Sequence, residues 1–338
     1  MKRLFNTLFI ILTTIFLLEI VIRICGVTPF EVQKFNIQSK PNFCLIPNSA
    51  YGFGLNSGEF DVTMNHKIHY TVTHNSDSLR IVSYSKSGIY TKKTCPENSV
   101  IDIHGCSFTY GMSVDDSLTF PFLLQKSLPN YRFRNYAVPG FGNLQALIRL
   151  QNQVKNQDFP DVVMVSYADF HDERNALNTN YRKSLYHGFL NANENVKPLF
   201  GESQIPFYDL KKGIQYCDWK NMYKNWLGRD YSAAINSLQD AFEKMQNASN
   251  DEKAVTHQIL LKIKELCQQN NIKFIVLFIT KNESTALTKQ FCERQNIELM
   301  DIGLELPSEK YSNLPYDIHP NKTAHRIFSE RILERMSN

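Results

Sequence analysis

The stretch Ile101-Asp102-Ile103-His104-Gly105-Cys106-Ser107-Phe108-Thr109-Tyr110-Gly111 decides how the chain reads. Val100 to Ile103 is a short apolar run, the pattern of a buried strand. A small residue, Ser107 and a second glycine follow at once, which predicts a tight strand-to-helix turn. Such a turn lifts a serine hydroxyl out of the carboxyl end of a sheet, where open α/β sheets bind their ligands. It also aims first-turn N–H groups at whatever the hydroxyl attacks. An isolated Gly-x-Ser is an ordinary polar loop, so the far end of the chain matters. Tyr316-Asp317-Ile318-His319-Pro320-Asn321 stands just before the last predicted helix, Lys322 to Met336. It offers an acid and a histidine two residues apart on a loop able to face the serine. Together they make a Ser-His-Asp set, which is recognised by roles and geometry rather than by chain order.

Three blocks then fall in order: Gly105-Cys106-Ser107-Phe108-Thr109-Tyr110-Gly111, Asn135-Tyr136-Ala137-Val138-Pro139-Gly140-Phe141-Gly142, and Asp317-Ile318-His319-Pro320. They resemble blocks I, II and V of the SGNH/GDSL hydrolases, over roughly residues 99 to 338. The resemblance implies a three-layer α/β fold of flavodoxin-like type, a parallel sheet flanked by helices on both faces. It implies Ser107 as nucleophile, His319 as general base and Asp317 as the acid orienting it. The N–H groups of Ser107 and Gly140 would form the oxyanion hole, and no metal or organic cofactor is called for. Glycine suits the block II position because its backbone approaches a ligand closely and adopts positive φ without penalty.

Two departures stand out. The usual Gly-Asp-Ser reads Gly105-Cys106-Ser107, which removes an acid outside the triad. Block III normally supplies an Asn that donates to the oxyanion, and here Ala168 occupies its place in Tyr167-Ala168-Asp169-Phe170-His171-Asp172-Glu173-Arg174-Asn175. His171, Arg174 and Asn175 lie just beyond and are the candidate substitute donors. The alternative is that they cap or brace the following helix. Cys106 is a second conceivable nucleophile, His104 reads as structural, and His325, inside the last helix, as packing.

A formal net charge of +4 over 338 residues, with no long basic run, sets nucleic acid aside as a partner. Seven cysteines without C-x-x-C pairs argue against zinc. Cys44 and Cys95 bracket the segment before the first strand of the sheet and are either a disulfide or two thiols. Lys2 and Arg3 precede an apolar stretch of 22 residues, Leu4 to Cys25. About 20 suffice to span a bilayer. Residues 1–30 are expected to be an uncleaved signal anchor, with a cleaved signal peptide as the alternative. The leading positive charges place the body outside the cytoplasm. Glu19 and Arg23, four apart, can pair on one helix face.

Residues 31–98 show short alternating runs and read as a small β-rich module, a brace for the hydrolase domain or a contributor to substrate binding. Its segment Asn75-Ser76-Asp77-Ser78-Leu79-Arg80 is a turn followed by an apolar anchor and a base. Residues 99–338 form the hydrolase-like domain, with helices expected over 120–128, 143–154, 253–268 and 284–295. Strands are expected over 131–138, 161–166, 272–279 and 297–302. That alternation implies a parallel sheet. Residues 176–250 match no block and are expected to be an insertion or lid. There Tyr216, Trp219, Tyr223 and Trp226 recur at helical spacing, as a sugar-stacking stripe or as core. Two functions follow. One is an exported, membrane-anchored serine esterase or acyltransferase acting on acetylated cell-surface glycans or small esters. The other is a catalytically degenerate SGNH-fold binding protein recognising envelope polysaccharide or a biosynthetic partner.

Overall fold

The computed structural model describes residues 2–32, 37–42, 44–84, 99–191, 203–248 and 251–336. The N-terminal apolar run is one helix, α1 (Lys2–Ile24). Among the described residues it alone is long and apolar enough to cross a membrane. The expected pair forms, with Arg23 Nε 2.6 Å from Glu19 Oε1. The β-rich segment comprises β1 (Ile37–Lys40), β2 (Leu45–Asn48), β3 (Gly52–Leu55), β4 (Gly58–Met64) and β5 (Ile68–His74). β1, β4 and β5 make an antiparallel sheet, and β2 with β3 a separate two-stranded one. Cys95 lies outside the described residues, and with it the question of its pairing with Cys44.

The large sheet is built from β6 (Ser99–His104), β7 (Tyr131–Asn135), β8 (Val162–Tyr167), β9 (Lys273–Thr280) and β10 (Glu298–Leu304). All its pairings are parallel, and the spatial order is β10-β9-β8-β6-β7. Counted along the chain, that is the doubly wound order 2-1-3-4-5, in which ligands sit at the switch point between the first and third strands. Those strands are β6 and β8, so Ser107 and Ala168 leave the sheet at that point. The expected parallel α/β architecture is the one observed.

Residues alternate between two cores as the strand pleat requires. Phe274, Val276 and Phe278 face one side of the sheet with Val163 and Val165. There they meet α4 (Leu144–Lys155) and the helix Glu252–Gln269 through Leu147, Ile259 and Ile263. Ile275, Leu277 and Ile279 face the other side with Ile103 and Met164. There they meet α3 (Phe120–Ser127) and the C-terminal helix Lys322–Met336 through Leu124, Phe328 and Ile332. The Gly140 turn contributes to the first core through Phe141, the β-rich segment through Phe53 and Phe60, and the region after residue 176 through Tyr181 and Ile205.

Three expectations need correction. The second strand stops at Asn135 rather than Val138, because the Asn135 side chain accepts the Ala137 N–H (3.1 Å) and turns the chain. The segment carrying Asp317 and His319 is not a loop throughout: Asp317–Pro320 is a short strand paired antiparallel with Ser312–Asn313. The aromatic spacing does not mark a helix. Tyr216 lies in a hairpin strand, Gly213–Asp218, paired with Gln204–Asp209, and Trp219 begins a 3-10 turn. Asp209 Oδ1 accepts the N–H groups of Lys211 and Lys212 (both 2.8 Å), and that local turn overrides the helical pattern. Trp219 and Tyr223 are core, whereas Tyr216 and Trp226 are exposed.

Candidate active site

Ser107 begins a single helical turn, α2 (Ser107–Tyr110), directly after β6, with extended Cys106 before it and left-handed Gly111 after it. Gly105 makes the turn possible. A Cβ there would stand 2.1 Å from Ser166 Oγ and 2.2 Å from Thr109 Oγ1, so only a residue without a side chain lets α2 close onto β8. The Cys106 side chain is fully buried in the apolar cluster with Ile101, Phe120 and Phe328, whereas Ser107 is 5% exposed. First-turn N–H groups such as that of Ser107 have no partner within their own helix.

The Asp317–His319 strand packs against α2. His319 Nδ1 lies 2.8 Å from Asp317 Oδ1, and the His319 imidazole meets the Phe108 ring edge-on at 5.5 Å. A carboxylate only accepts, so Nδ1 carries a proton, and Nε2 is the nitrogen that can act as a base. Burial pushes the Asp317 carboxyl up, but hydrogen bonds and charge from His319, with a further bond from Ser113, outweigh it and hold the group below its ordinary range. Asn321 anchors the segment behind: its Oδ1 caps the C-terminal helix at Thr323 and Ala324, and its Nδ2 bonds the Lys310 and Ser312 carbonyls.

The sequence did not single out Ser113. Its hydroxyl donates to the second Asp317 oxygen, Oδ2, at 2.5 Å, from a residue at φ +70°. The loop carrying it is gripped by Arg80. That guanidinium bonds the carbonyls of Tyr110 (2.8 Å), Gly111 (2.6 Å) and Val114 (2.7 Å) and pairs with Asp116 at 2.8 Å. Arg80 also stacks over the Tyr110 ring at 4.6 Å, and His74 bonds the Tyr110 hydroxyl at 2.8 Å. The β-rich segment thus holds the loop that holds Asp317. Asn65 adds a direct tie, its Nδ2 donating to the Tyr316 carbonyl at 2.7 Å.

Gly140 lies in the block II turn at φ +91°, with its carbonyl bonded by the Tyr181 hydroxyl at 2.6 Å. A Cβ there would meet the Phe53 ring at 3.0 Å. In the variant block III, Ala168 is fully buried and its N–H points to His171 Nδ1 at 3.4 Å. Asn175 caps α4: its Oδ1 accepts from the Asn143 and Leu144 N–H groups, and its Nδ2 donates to Asn143 Oδ1 and Thr256 Oγ1. Arg174 bonds the Phe141 carbonyl at 2.9 Å and lies over the rings of Phe170 and Tyr181. His171 is fully buried, and its Nε2 has no partner among the described residues. Burial, then the charge of Arg174, holds that imidazole well below its usual pKa, against a backbone hydrogen bond with Ser166 that raises it.

The other two histidines that the sequence singled out, His104 and His325, pack. His104 stacks flat on Tyr136 at 5.2 Å, and burial keeps it neutral. His325 accepts the Phe120 N–H at 3.3 Å and is pushed down to about 3 by burial.

No family model and no curated protein matches the sequence. Solved structures do resemble it. A member of the lipolytic protein G-D-S-L family from Veillonella parvula is 14% identical, covering 71% of this chain and 99% of its own, with a TM-score of 0.39. The psychrotrophic esterase EstA from Pseudoalteromonas, inhibited by monoethylphosphonate, is 13% identical, covering 71% and 97%, with a TM-score of 0.41. TesA is 13% identical, covering 70% and 98%, with a TM-score of 0.40.

Proposed function

We propose that the chain is an SGNH-type serine esterase or acyltransferase, anchored in a membrane by α1 with its body outside the cytoplasm. Its substrates would carry ester-linked acyl groups, acetyl first among them, on cell-surface glycans or small esters. The observation that carries the reading is the hydrogen-bonded Asp317–His319 pair packed onto the helical turn that begins with Ser107. Ser107 Oγ would attack the acyl carbonyl while His319 Nε2 takes its proton. Asp317 would hold the ring and stabilise the imidazolium. The imidazolium then protonates the leaving alkoxide, and water or an acceptor hydroxyl releases the acyl group from Ser107. The N–H groups of Ser107 and Gly140 would hold the oxyanion. Full-length protein in detergent should release alcohol from a chromogenic acetyl ester. An inert protein that binds acetylated polysaccharide would support the second reading, a binding protein, which the buried Ala168 in place of the block III donor favours.

Of the two buried candidates, His171 is the substitute donor we favour, because its Nε2 has no partner among the described residues while the Asn175 amide is engaged. Loss of one oxyanion donor lowers kcat by about 10²–10³. His171→Phe, which keeps the ring and removes the donor, is therefore expected to lower kcat/KM at least tenfold. Asn175→Ala is expected to act on folding instead, at about 1 kcal/mol or more for a lost buried cap. Equal kcat/KM in His171→Phe and wild type would leave only the two backbone donors.

Ser113 is expected to position Asp317. A hydrogen bond to a charged group is worth about 1.5–3 kcal/mol. If half of that acts in the transition state, Ser113→Ala lowers kcat about three- to tenfold with KM little changed. Ser113→Thr, which keeps the hydroxyl, should recover most of it. A loss in KM alone would contradict the assignment.

A further inference from the structure

The helix Ala233–Ala248 is inside out. Its inward side is polar: Asn236, Asp240 and Glu243, spaced as one helical stripe, all bond the fully buried Arg229. Gln239 on the same side accepts the Trp226 N–H at 2.8 Å and donates to the Lys224 carbonyl at 3.1 Å. Its outward stripe, Leu238, Ala241, Phe242, Met245 and Ala248, is exposed and apolar, bordered by exposed Lys244 on one side and Gln246 on the other. Leu238 is 62% exposed and Met245 73%. A helix on the surface of a water-soluble body normally shows the reverse arrangement. The patch continues into the preceding loop. Trp226 stands against Phe242 at 5.5 Å, and beyond it Leu227 is 98% exposed and Tyr231 82%.

This surface is fixed to the end of α1. Glu19 caps the outward-facing helix from outside: its carboxylate accepts from the Ala233 N–H (2.8 Å), the Ala234 N–H (3.0 Å) and the Ser232 hydroxyl (2.7 Å). Arg23 Nη2 bonds the Tyr231 carbonyl at 2.7 Å. Just past α1, Asn236 bonds the Thr28 carbonyl, and the Phe30 N–H bonds the Arg229 carbonyl. At 1.5 Å per residue, Glu19 lies about 8 Å inside the end of a helix that terminates at Ile24. A helix N-terminus and a loop tethered at that height meet the outer interface of whatever bilayer α1 crosses.

We propose that the apolar face of Trp226, Leu227, Tyr231, Leu238, Phe242 and Met245 seats on the outer leaflet of the membrane that holds α1. The catalytic-type domain is then laid on the lipid surface rather than tethered above it. The occupant is lipid because the patch is continuous with the membrane-spanning helix and shares its hydrogen bonds. Aromatic rings with a polar edge, such as Trp226 and Tyr231, suit that depth. The inference rests on the membrane-anchor part of the proposed function.

The chain has two tryptophans, Trp226 and the buried Trp219, so Trp226 is a built-in depth probe. Full-length protein and Trp226→Phe would be reconstituted into phosphatidylcholine vesicles with and without bromine on the acyl chains, and their emission compared. The expected result is that bromine quenches the share of emission that Trp226→Phe removes, and leaves the Trp219 share. Leu227→Trp in the Trp226→Phe background gives a second probe at a fully exposed position and should be quenched likewise. Protein that survives an alkaline carbonate wash yet shows no quenching at either position overturns the surface while leaving the anchor standing. That is also the outcome if a second copy of the chain covers the face. Protein that washes off the vesicles overturns the anchor and the surface together.

Discussion

Replacing Ser107 with alanine is expected to abolish ester turnover, lowering kcat by on the order of 10⁶ if the three groups act as a unit. The argument is local. Gly105 admits the close approach of α2 to β8, Ser107 opens that turn at the switch point of the sheet, and the hydrogen-bonded Asp317–His319 pair packs against the same turn. Labelling by a fluorophosphonate should vanish with the hydroxyl. Cys106→Ala should leave both labelling and kcat within a few-fold of wild type, because that thiol is buried among Ile101, Phe120 and Phe328. Labelling that persists in Ser107→Ala, or that disappears in Cys106→Ala, would reassign the nucleophile.

The largest effect on stability is expected at Arg80. Its side chain is fully buried, pairs with a nearly buried Asp116, and serves three backbone carbonyls. Breaking a buried pair by removing one partner typically destabilises by about 3–5 kcal/mol, because the remaining charge is left uncompensated. Arg80→Met should therefore lower the denaturation midpoint steeply and also impair catalysis, since the loop it grips carries Ser113. Burial already pushes the Asp116 carboxyl up, with the Arg80 charge opposing that push. Without Arg80 the folded-state pKa rises further above the unfolded value. The penalty is then present at pH above that raised pKa and is relieved as pH falls through it. Arg80→Met with Asp116→Asn should be less damaged than the sum of the single changes. A midpoint for Arg80→Met equal to that of wild type would show that the loop is held by other contacts.

What was legible in the sequence was what leaves a local pattern. Apolar runs placed β6, β8, β9 and β10 within a residue or two, and helical spacing did the same for α3, α4 and the three long C-terminal helices. The paired Glu19 and Arg23 were visible because helix periodicity brings residues four apart together. The grip on Asp317 was not. Ser113 lies 204 residues from it, and Arg80 reads in the sequence only as a base after a turn. Asp102, within the strand run Val100 to Ile103, gave no sign that Arg134 and Gln153 would clasp it in the core. The aromatic spacing of residues 216 to 226 misled because an Asp-anchored turn and a hairpin, both local, were stronger than the period. The inverted helix Ala233–Ala248 was hidden for a different reason. Its pattern is amphipathic either way, and the partners beneath it, Arg229 foremost, turn the polar stripe inward.

Trapping the acyl-enzyme tests the central claim most directly. Full-length protein mixed with an activated acetyl ester, quenched in acid and digested, should carry a single acetyl group on the peptide containing Ser107. Wild type should lose that group on standing as water releases it, and Ser107→Ala should never acquire it. His319→Ala should acquire it slowly, because no base takes the serine proton. Acetylation confined to Cys106 or to surface lysines, with Ser107 unmodified in wild type throughout the time course, would contradict the account.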